Sequence, residues 1–225
     1  MEKIKNINHP RKKLIKFWGI IGFFSLVVLL SAKIIQASSM IAGKTGNGFW
    51  LICGVVAFLA YLAADFVSGV VHFICDNYGS EHTPLVGEHF IKEFRQHHVD
   101  PVDITRYGFV ETNGNNCIVA GLSLLVVLIL VDGQMIWGFY VQIFMVTFTM
   151  LIFGTNQFHK WAHSTVPGRI PLALQRAKLI LDREHHNIHH KAPYDRYYCI
   201  TSGILNPLLT KIKFFETILK ITGKI

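Results

Sequence analysis

The sequence predicts an all-α fold, an integral membrane bundle of about four transmembrane helices, and three observations lead there. Hydrophobic residues make up 51% of the 225 positions, and the mean hydropathy of +0.38 exceeds that of ordinary soluble domains. The apolar residues gather into four runs, Leu14–Ala32, Phe49–Ile74, Cys117–Val131 and Met135–Phe153. Apart from Lys16, basic residues avoid these runs and crowd into segments that four crossings would place on one side.

The first run follows a basic start, Lys3, Lys5, Arg11, Lys12 and Lys13. Around Ala32–Ser39 no small-x-small cleavage site stands out, so this segment reads as a retained anchor rather than a secretory leader. A helix needs about 20 residues to cross about 30 Å of hydrocarbon. The second and fourth runs reach that length, while the first and third draw on flanking residues. Asn113-Gly114-Asn115-Asn116 reads as punctuation before the third run, and Asp132-Gly133 as the turn of a helical hairpin joining the third run to the fourth. The tail from Ile212 to Ile225 spaces Ile212, Phe215, Ile218 and Leu219 as an amphipathic helix. Such a helix suits either the bilayer surface or the protein's own polar domain.

No internal repeat, low-complexity tract or linker interrupts the chain. The expected organisation is a basic N-terminus, anchor and loop over 1–48, a principal domain over 49–209 and the amphipathic tail over 210–225. Of the 22 lysines and arginines, six lie in the first 16 positions, two between the first and second runs, three between the second and third, and eleven after the fourth. Positively charged loops stay cytoplasmic, so both termini and the Cys75–Asn116 loop are expected on the cytoplasmic face. A net charge of +8 suits an anionic leaflet. Without a recognition module or basic-aromatic platform, no nucleic-acid partner is expected. Cys53, Cys75, Cys117 and Cys199 lack C-x-x-C spacing, which argues for free thiols rather than a disulfide framework or zinc ribbon.

Chemistry enters with the histidines. The chain has 12, and eleven lie at or beyond the end of the second run. His72 and Asp76 share a helical face there, with Asp65 earlier in the same run, where an unpaired carboxylate would be costly. His97 and His98 form an adjacent pair with Glu93 one turn earlier. His159 and His163 have i, i+4 spacing at the end of the fourth run, and Glu184-His185-His186-Asn187-Ile188-His189-His190 contains two interleaved pairs. Imidazoles one turn apart converge on a first-row metal at little ordering cost. At least nine donors are enough for two metals, whereas a structural zinc site needs four. H-E-x-x-H, G-x-S-x-G and a cysteine ligand set are all absent, which excludes the common zinc hydrolases, serine hydrolases and iron–sulfur proteins. Two non-haem iron ions, with O2 as co-substrate, suit removal of hydrogen from an unactivated C–H bond, for which no side chain is a sufficient oxidant. A membrane metal transporter or sensor would instead spread its polar ligands across the bilayer.

Six blocks also carry a family resemblance: Ala64–His72, Phe94–Pro101, Ile104–Arg106, Glu111–Gly114, Asn156–His163 and His185–His190. In this order they resemble the plasmanylethanolamine desaturase family, and the likeness runs from about residue 60 to 209. Asp76-Asn77-Tyr78-Gly79 and Ala192-Pro193-Tyr194 are also similar to the plant chloroplast desaturases of phosphatidylglycerol. His185, Val99-Asp100-Pro101 and Glu111–Gly114 favour the ether-lipid branch. The resemblance implies an O2-dependent lipid desaturase that forms the vinyl-ether bond of plasmalogens, with an acyl-chain desaturase or lipid hydroxylase as the alternative. It also implies metal ligands at His72, His97, His98, His159, His163, His186, His189 and His190, with Asp76 as ligand or hydrogen-bond acceptor and His185 as ligand or orienter. His82 and His89 stand further from the pattern, and His9 outside it. Lys160, Arg183 and Arg196 are candidates for lipid phosphate or simply positive charges on the cytoplasmic face. Without a nucleotide, haem or flavin motif, electrons are expected from a separate donor such as ferredoxin or cytochrome b5.

Overall fold

The computed structural model describes residues 10–224, and every regular element among them is helical. The long helices are α1 (Pro10–Thr45), α2 (Phe49–Asn77), α4 (Phe109–Leu130) and α5 (Ile136–His163). The short ones are α3 (Lys92–Val99), α6 (Arg169–Arg176), α7 (Arg183–His189), α8 (Asn206–Lys211) and α9 (Phe214–Ile221). Three helical runs are long and apolar enough to cross a membrane: Pro10–Asn77, Phe109–Leu130 and Ile136–His163. The 68 residues of the first would extend about 100 Å if straight. A 3-10 turn at Gly46–Gly48 divides it into α1 and α2, of 36 and 29 residues, each long enough to span by itself. Gly46, at φ +61°, takes a left-handed conformation open to glycine without steric penalty.

The chain divides into two compact units, residues up to Ala64 with Gly108–Gly154, and Asp65–Tyr107 with residues from Thr155 onward. In the first, α1 packs along α4 through a stripe of small residues. A Cβ on Gly114 would lie 2.4 Å from Lys16 Cβ and 3.1 Å from its Cα, and one on Gly121 would touch the Phe23 backbone at 3.6 Å. Small side chains at such positions let helix backbones approach without the water-driven force available to soluble proteins. Around the stripe, Phe23, Leu30, Cys117, Ala120 and Leu124 form one buried cluster, and Ala37, Ile41, Phe49 and Phe139 another. Outward-facing residues such as Trp50, Leu51, Leu122 and Ile129 are exposed and apolar, as a lipid-facing surface requires.

The Asn113–Asn116 stretch, expected as punctuation, lies inside α4 instead. Gly114 provides the close approach, Asn113 Nδ2 donates to the Phe109 carbonyl, and Asn116 Nδ2 donates to the Ile152 carbonyl on α5. Interhelical contacts thus override local turn propensity. Asp132-Gly133 does form the connection between α4 and α5, with Asp132 Oδ1 accepting from Gln134 N at 2.9 Å.

The second unit holds the polar chemistry. Its apolar cluster joins Phe73, Tyr198, Cys199 and Leu209 to Phe215 and Leu219 of α9. Of the two settings the tail's pattern left open, α9 therefore buries part of its apolar face within this unit. Arg95 on α3 caps the end of α2, donating to the carbonyls of Cys75, Tyr78 and Gly79 at 3.0–3.1 Å. These groups have no partner within the helix, and their capture fixes α3, with its two histidines, against the end of α2.

Candidate metal centre

One face of α2 organises the site. Asp65, Ser68, Gly69, His72 and Asp76 recur at helical spacing on a single stripe. Across it runs the segment from Arg196 to Asn206, which belongs to no strand or helix before Asn206. Asp65 Oδ1 accepts from the backbone N–H of Ser202 and Gly203, both at 2.8 Å, and Oδ2 from Leu205 N at 3.0 Å. Ser68 Oγ accepts from Ile200 N at 3.0 Å and Thr201 N at 3.2 Å. At Gly69 a Cβ would lie 2.5 Å from Cys199 Sγ and 3.2 Å from its Cα, so only glycine leaves room for the segment.

The segment returns two main-chain carbonyls to the histidines. Tyr198 O lies 3.0 Å from His72 Nδ1, and Arg196 O lies 2.8 Å from His189 Nδ1. A carbonyl oxygen only accepts, so both rings carry their proton on Nδ1 and turn an unprotonated Nε2 into the site. Such hydrogen bonds set the tautomer and aim of ligating histidines. The same segment is held from the other side by Asn206, whose amide accepts from Cys199 N at 2.8 Å and donates to Cys199 O at 2.9 Å.

Two adjoining groups of donors result. The first contains His97, His159, His163, His186 and His190; the second contains His72, Asp76, His98 and His189; in each, one ligand atom per residue lies within 4.8 Å of all the others. His186 is the hub of the first, its Nε2 lying 2.8, 2.9 and 3.0 Å from the Nε2 atoms of His159, His163 and His190. His159 and His163 are 3.1 Å apart. Around a metal with bonds of about 2.1 Å, ligands at right angles sit about 3.0 Å apart and tetrahedral ones about 3.4 Å. The spacing therefore fits a centre with more than four ligands. In the second group Asp76 Oδ2 lies 3.2 Å from His98 Nε2 and 3.4 Å from the Nε2 atoms of His72 and His189.

Several of these donors are buried without a hydrogen-bond partner, including His72 Nε2, His97 Nε2 and Asp76 Oδ1. A buried polar atom left unpaired is destabilising unless something else binds it, and a pair of cations would satisfy all three. Nitrogen and carboxylate donors without sulfur suit iron, zinc, nickel or copper(II) rather than copper(I) or an iron–sulfur cluster. Burial, reinforced by neighbouring imidazoles, holds His97 and His186 well below the ordinary histidine range. They are neutral at pH 7, the state that binds metal.

Nine of the ten site residues read from the sequence belong to these groups. His185 does not: its Nε2 is 3.1 Å from Asn206 Nδ2 and its ring packs on Tyr197. It holds the Arg196–Asn206 segment to α7. Asp65 likewise grips main chain rather than any histidine. Lys160 donates to the Tyr107 carbonyl, Arg196 lies 3.7 Å from Asp195, and Arg183 is exposed. His82 is an exposed side chain beside Glu81, and His9 falls outside the described residues. Sequence reasoning missed Gly69, Ser68 and Asn206. The period linking Asp65, Ser68, Gly69, His72 and Asp76 is a signal that exposes the first two, whereas nothing local marks Asn206.

The profile described as lipid desaturase domain matches residues 61–224, which include every residue of both groups. The chain belongs to the lipid desaturase family. Among relatives of this lipid desaturase, the plasmanylethanolamine desaturase of Myxococcus xanthus is 42% identical over 208 residues, covering 92% of this chain and 71% of the relative. Plasmanylethanolamine desaturase 1 of Mus musculus is 44% identical over 178 residues, covering 74% and 62% respectively. The chloroplastic fatty acid desaturase 4-like 2 of Arabidopsis thaliana is 36% identical over 205 residues, covering 89% and 68%. No solved structure matches the chain at a significant level. The family membership, the apolar helices and the histidine groups together make this a membrane lipid desaturase.

Proposed function

We propose that this lipid desaturase forms the vinyl-ether double bond of plasmalogens from a saturated ether phospholipid, using two iron ions and O2. The observation that carries the reading is the pair of adjoining donor groups, brought together from α2, α3, α5, α7 and the residue following α7. His97, His159, His163, His186 and His190 would hold one ion, and His72, Asp76, His98 and His189 the other. Once bound, the pair supplies dioxygen activation strong enough to remove two hydrogens from adjacent alkyl carbons. For each O2 consumed the balance would require two external electrons, from a ferredoxin or cytochrome b5 type of donor, and two protons.

The chain's own part is to hold the donors aimed and dry. The carbonyls of Tyr198 and Arg196 keep His72 and His189 in the Nδ1–H tautomer, and the burial of His72, His97, His159, His186 and His189 excludes bulk water. Burial spares the ligands competing hydration. Asp76 gives the second group one negative charge, offsetting part of the charge of an ion there.

Four crossings, with both termini and the Cys75–Asn116 loop cytoplasmic, fit the distribution of lysine and arginine. The 42% and 44% identities to plasmanylethanolamine desaturases favour an ether-linked chain, while the 36% identity to a plant fatty acid desaturase makes an ester-linked acyl chain the second reading. Expression in a host that makes saturated ether phospholipids, followed by lipidomics, separates the two. New vinyl ethers that disappear with His163→Ala are expected; a new double bond in an ester-linked chain would replace the first reading with the second.

A further inference from the structure

We infer that Asp65 is a positioning residue for the metal group that contains His72 and His189, acting through main chain. The inference rests on the proposed metal-binding reading and concerns a residue outside both donor groups. Asp65 is fully buried on α2, two turns before His72, and both its oxygens are committed. A carboxylate on an apolar helix is retained only where donors compensate its burial. Here those donors are three backbone N–H groups from one short stretch, Ser202 to Leu205.

The consequence lies upstream of that stretch. Fixing Ser202–Leu205 fixes the direction from which the chain passes Cys199 and Tyr198 to Arg196, and two of those residues supply the carbonyls that hold His72 and His189. Ser68 adds two further bonds to the same strand of main chain, and Gly69 sets its distance from α2. One helix face thus grips the segment at one point and receives its carbonyl at another. His72 and His189 belong to the same group, so loosening the grip disturbs one metal position selectively. The five-histidine group has no hydrogen bond to the Arg196–Leu205 segment among its ring contacts described above.

Asp65→Asn tests this. The amide oxygen still accepts from Ser202 and Gly203, but its NH2 faces the Leu205 N–H, donor against donor, and the negative charge is gone. Asp65→Glu keeps the charge. The full chain, purified in detergent and stripped of metal, is titrated with Co(II) and followed by its visible absorption, while 15N spectra of the ring nitrogens report the tautomers of His72 and His189 before metal is added. Asp65→Asn is expected to weaken one of two Co(II) equivalents by about 10–100-fold, leave the other unchanged, and mix the Nδ1–H tautomers. Asp65→Glu is expected to restore the tautomers in part. Ser68→Ala, a milder change should Asp65→Asn fail to fold, is expected to shift the same equivalent by a smaller factor.

Wild-type titration and tautomer spectra retained in Asp65→Asn would overturn the inference while leaving the metal reading standing. Equal loss of both equivalents would overturn it too, marking Asp65 as a general structural residue. A wild-type chain that binds no Co(II) would overturn the metal reading itself, and this inference with it.

Discussion

His186→Ala removes the hub of the five-imidazole group, whose Nε2 lies 2.8–3.0 Å from three other ring nitrogens. Four-ligand structural sites bind with about 10–16 kcal/mol, or roughly 3 kcal/mol for each ligand. Loss of one ligand should therefore weaken the metal by about two orders of magnitude. Linkage converts this into stability. Free metal at about 100 times the dissociation constant stabilises the native state by about 2.7 kcal/mol, and after a 100-fold weakening the same concentration gives about 0.4 kcal/mol. The expected metal-dependent stabilisation lost is therefore about 2 kcal/mol. The assay is thermal or chemical unfolding of wild type and variant in detergent, each with and without metal, so that the cavity left by the missing ring cancels. His82→Ala, at a side chain 88% exposed and outside both groups, is the control. An undiminished metal response in His186→Ala, or an equal loss in His82→Ala, would refute the proposed ligand set.

Two further perturbations have definite signs. Gly69→Ala places a Cβ 3.2 Å from the Cys199 backbone, and overpacking of this kind destabilises by about 1–3 kcal/mol. Combining it with Cys199→Ala removes the 2.5 Å sulfur contact but not the main-chain one, so unfolding measurements should show only partial recovery. Lowering pH should destabilise the metal-free protein below about 6.5, the ordinary histidine value. His97 and His186 are held far below it when folded, chiefly by burial, so the unfolded chain takes up protons that the native chain does not. Each such group removes about 1 kcal/mol for the first unit below that value. Denaturant midpoints at pH 7.5 and 5.5 check the direction, and a higher midpoint at 5.5 would contradict it.

Much of the architecture was legible because hydrophobic runs and imidazole spacing are local signals. All four runs fall in long helices, with only Val131 and Met135 just outside, and the i, i+4 pair His159/His163 shares one donor group. The true helix ends were less visible. Helix α1 continues well beyond Ala32, to Thr45, because residues 33–45 contain no proline to end it. The division of α7 was hidden for a geometric reason. At about 100° per residue, His189 lies between the direction of His185 and that of His186 and His190. Sequence spacing makes all four look equivalent, and only the packing of the Arg196–Asn206 segment decides that His185 faces Asn206. That segment has no regular structure, and its partners on α2 are more than 130 residues away, so no local pattern announced it.

The use of peptide carbonyls to aim His72 and His189 also shapes how this centre tolerates change. A substitution at Arg196 or Tyr198 replaces the side chain and leaves the oxygen in place, so neither acceptor can be deleted by exchanging one amino acid for another. Damage to their function must arrive indirectly, through residues that steer the chain past them. Alanine scanning would thus register Arg196 and Tyr198 by their side chains alone, while changes two helical turns from the nearest ligand reach the metal.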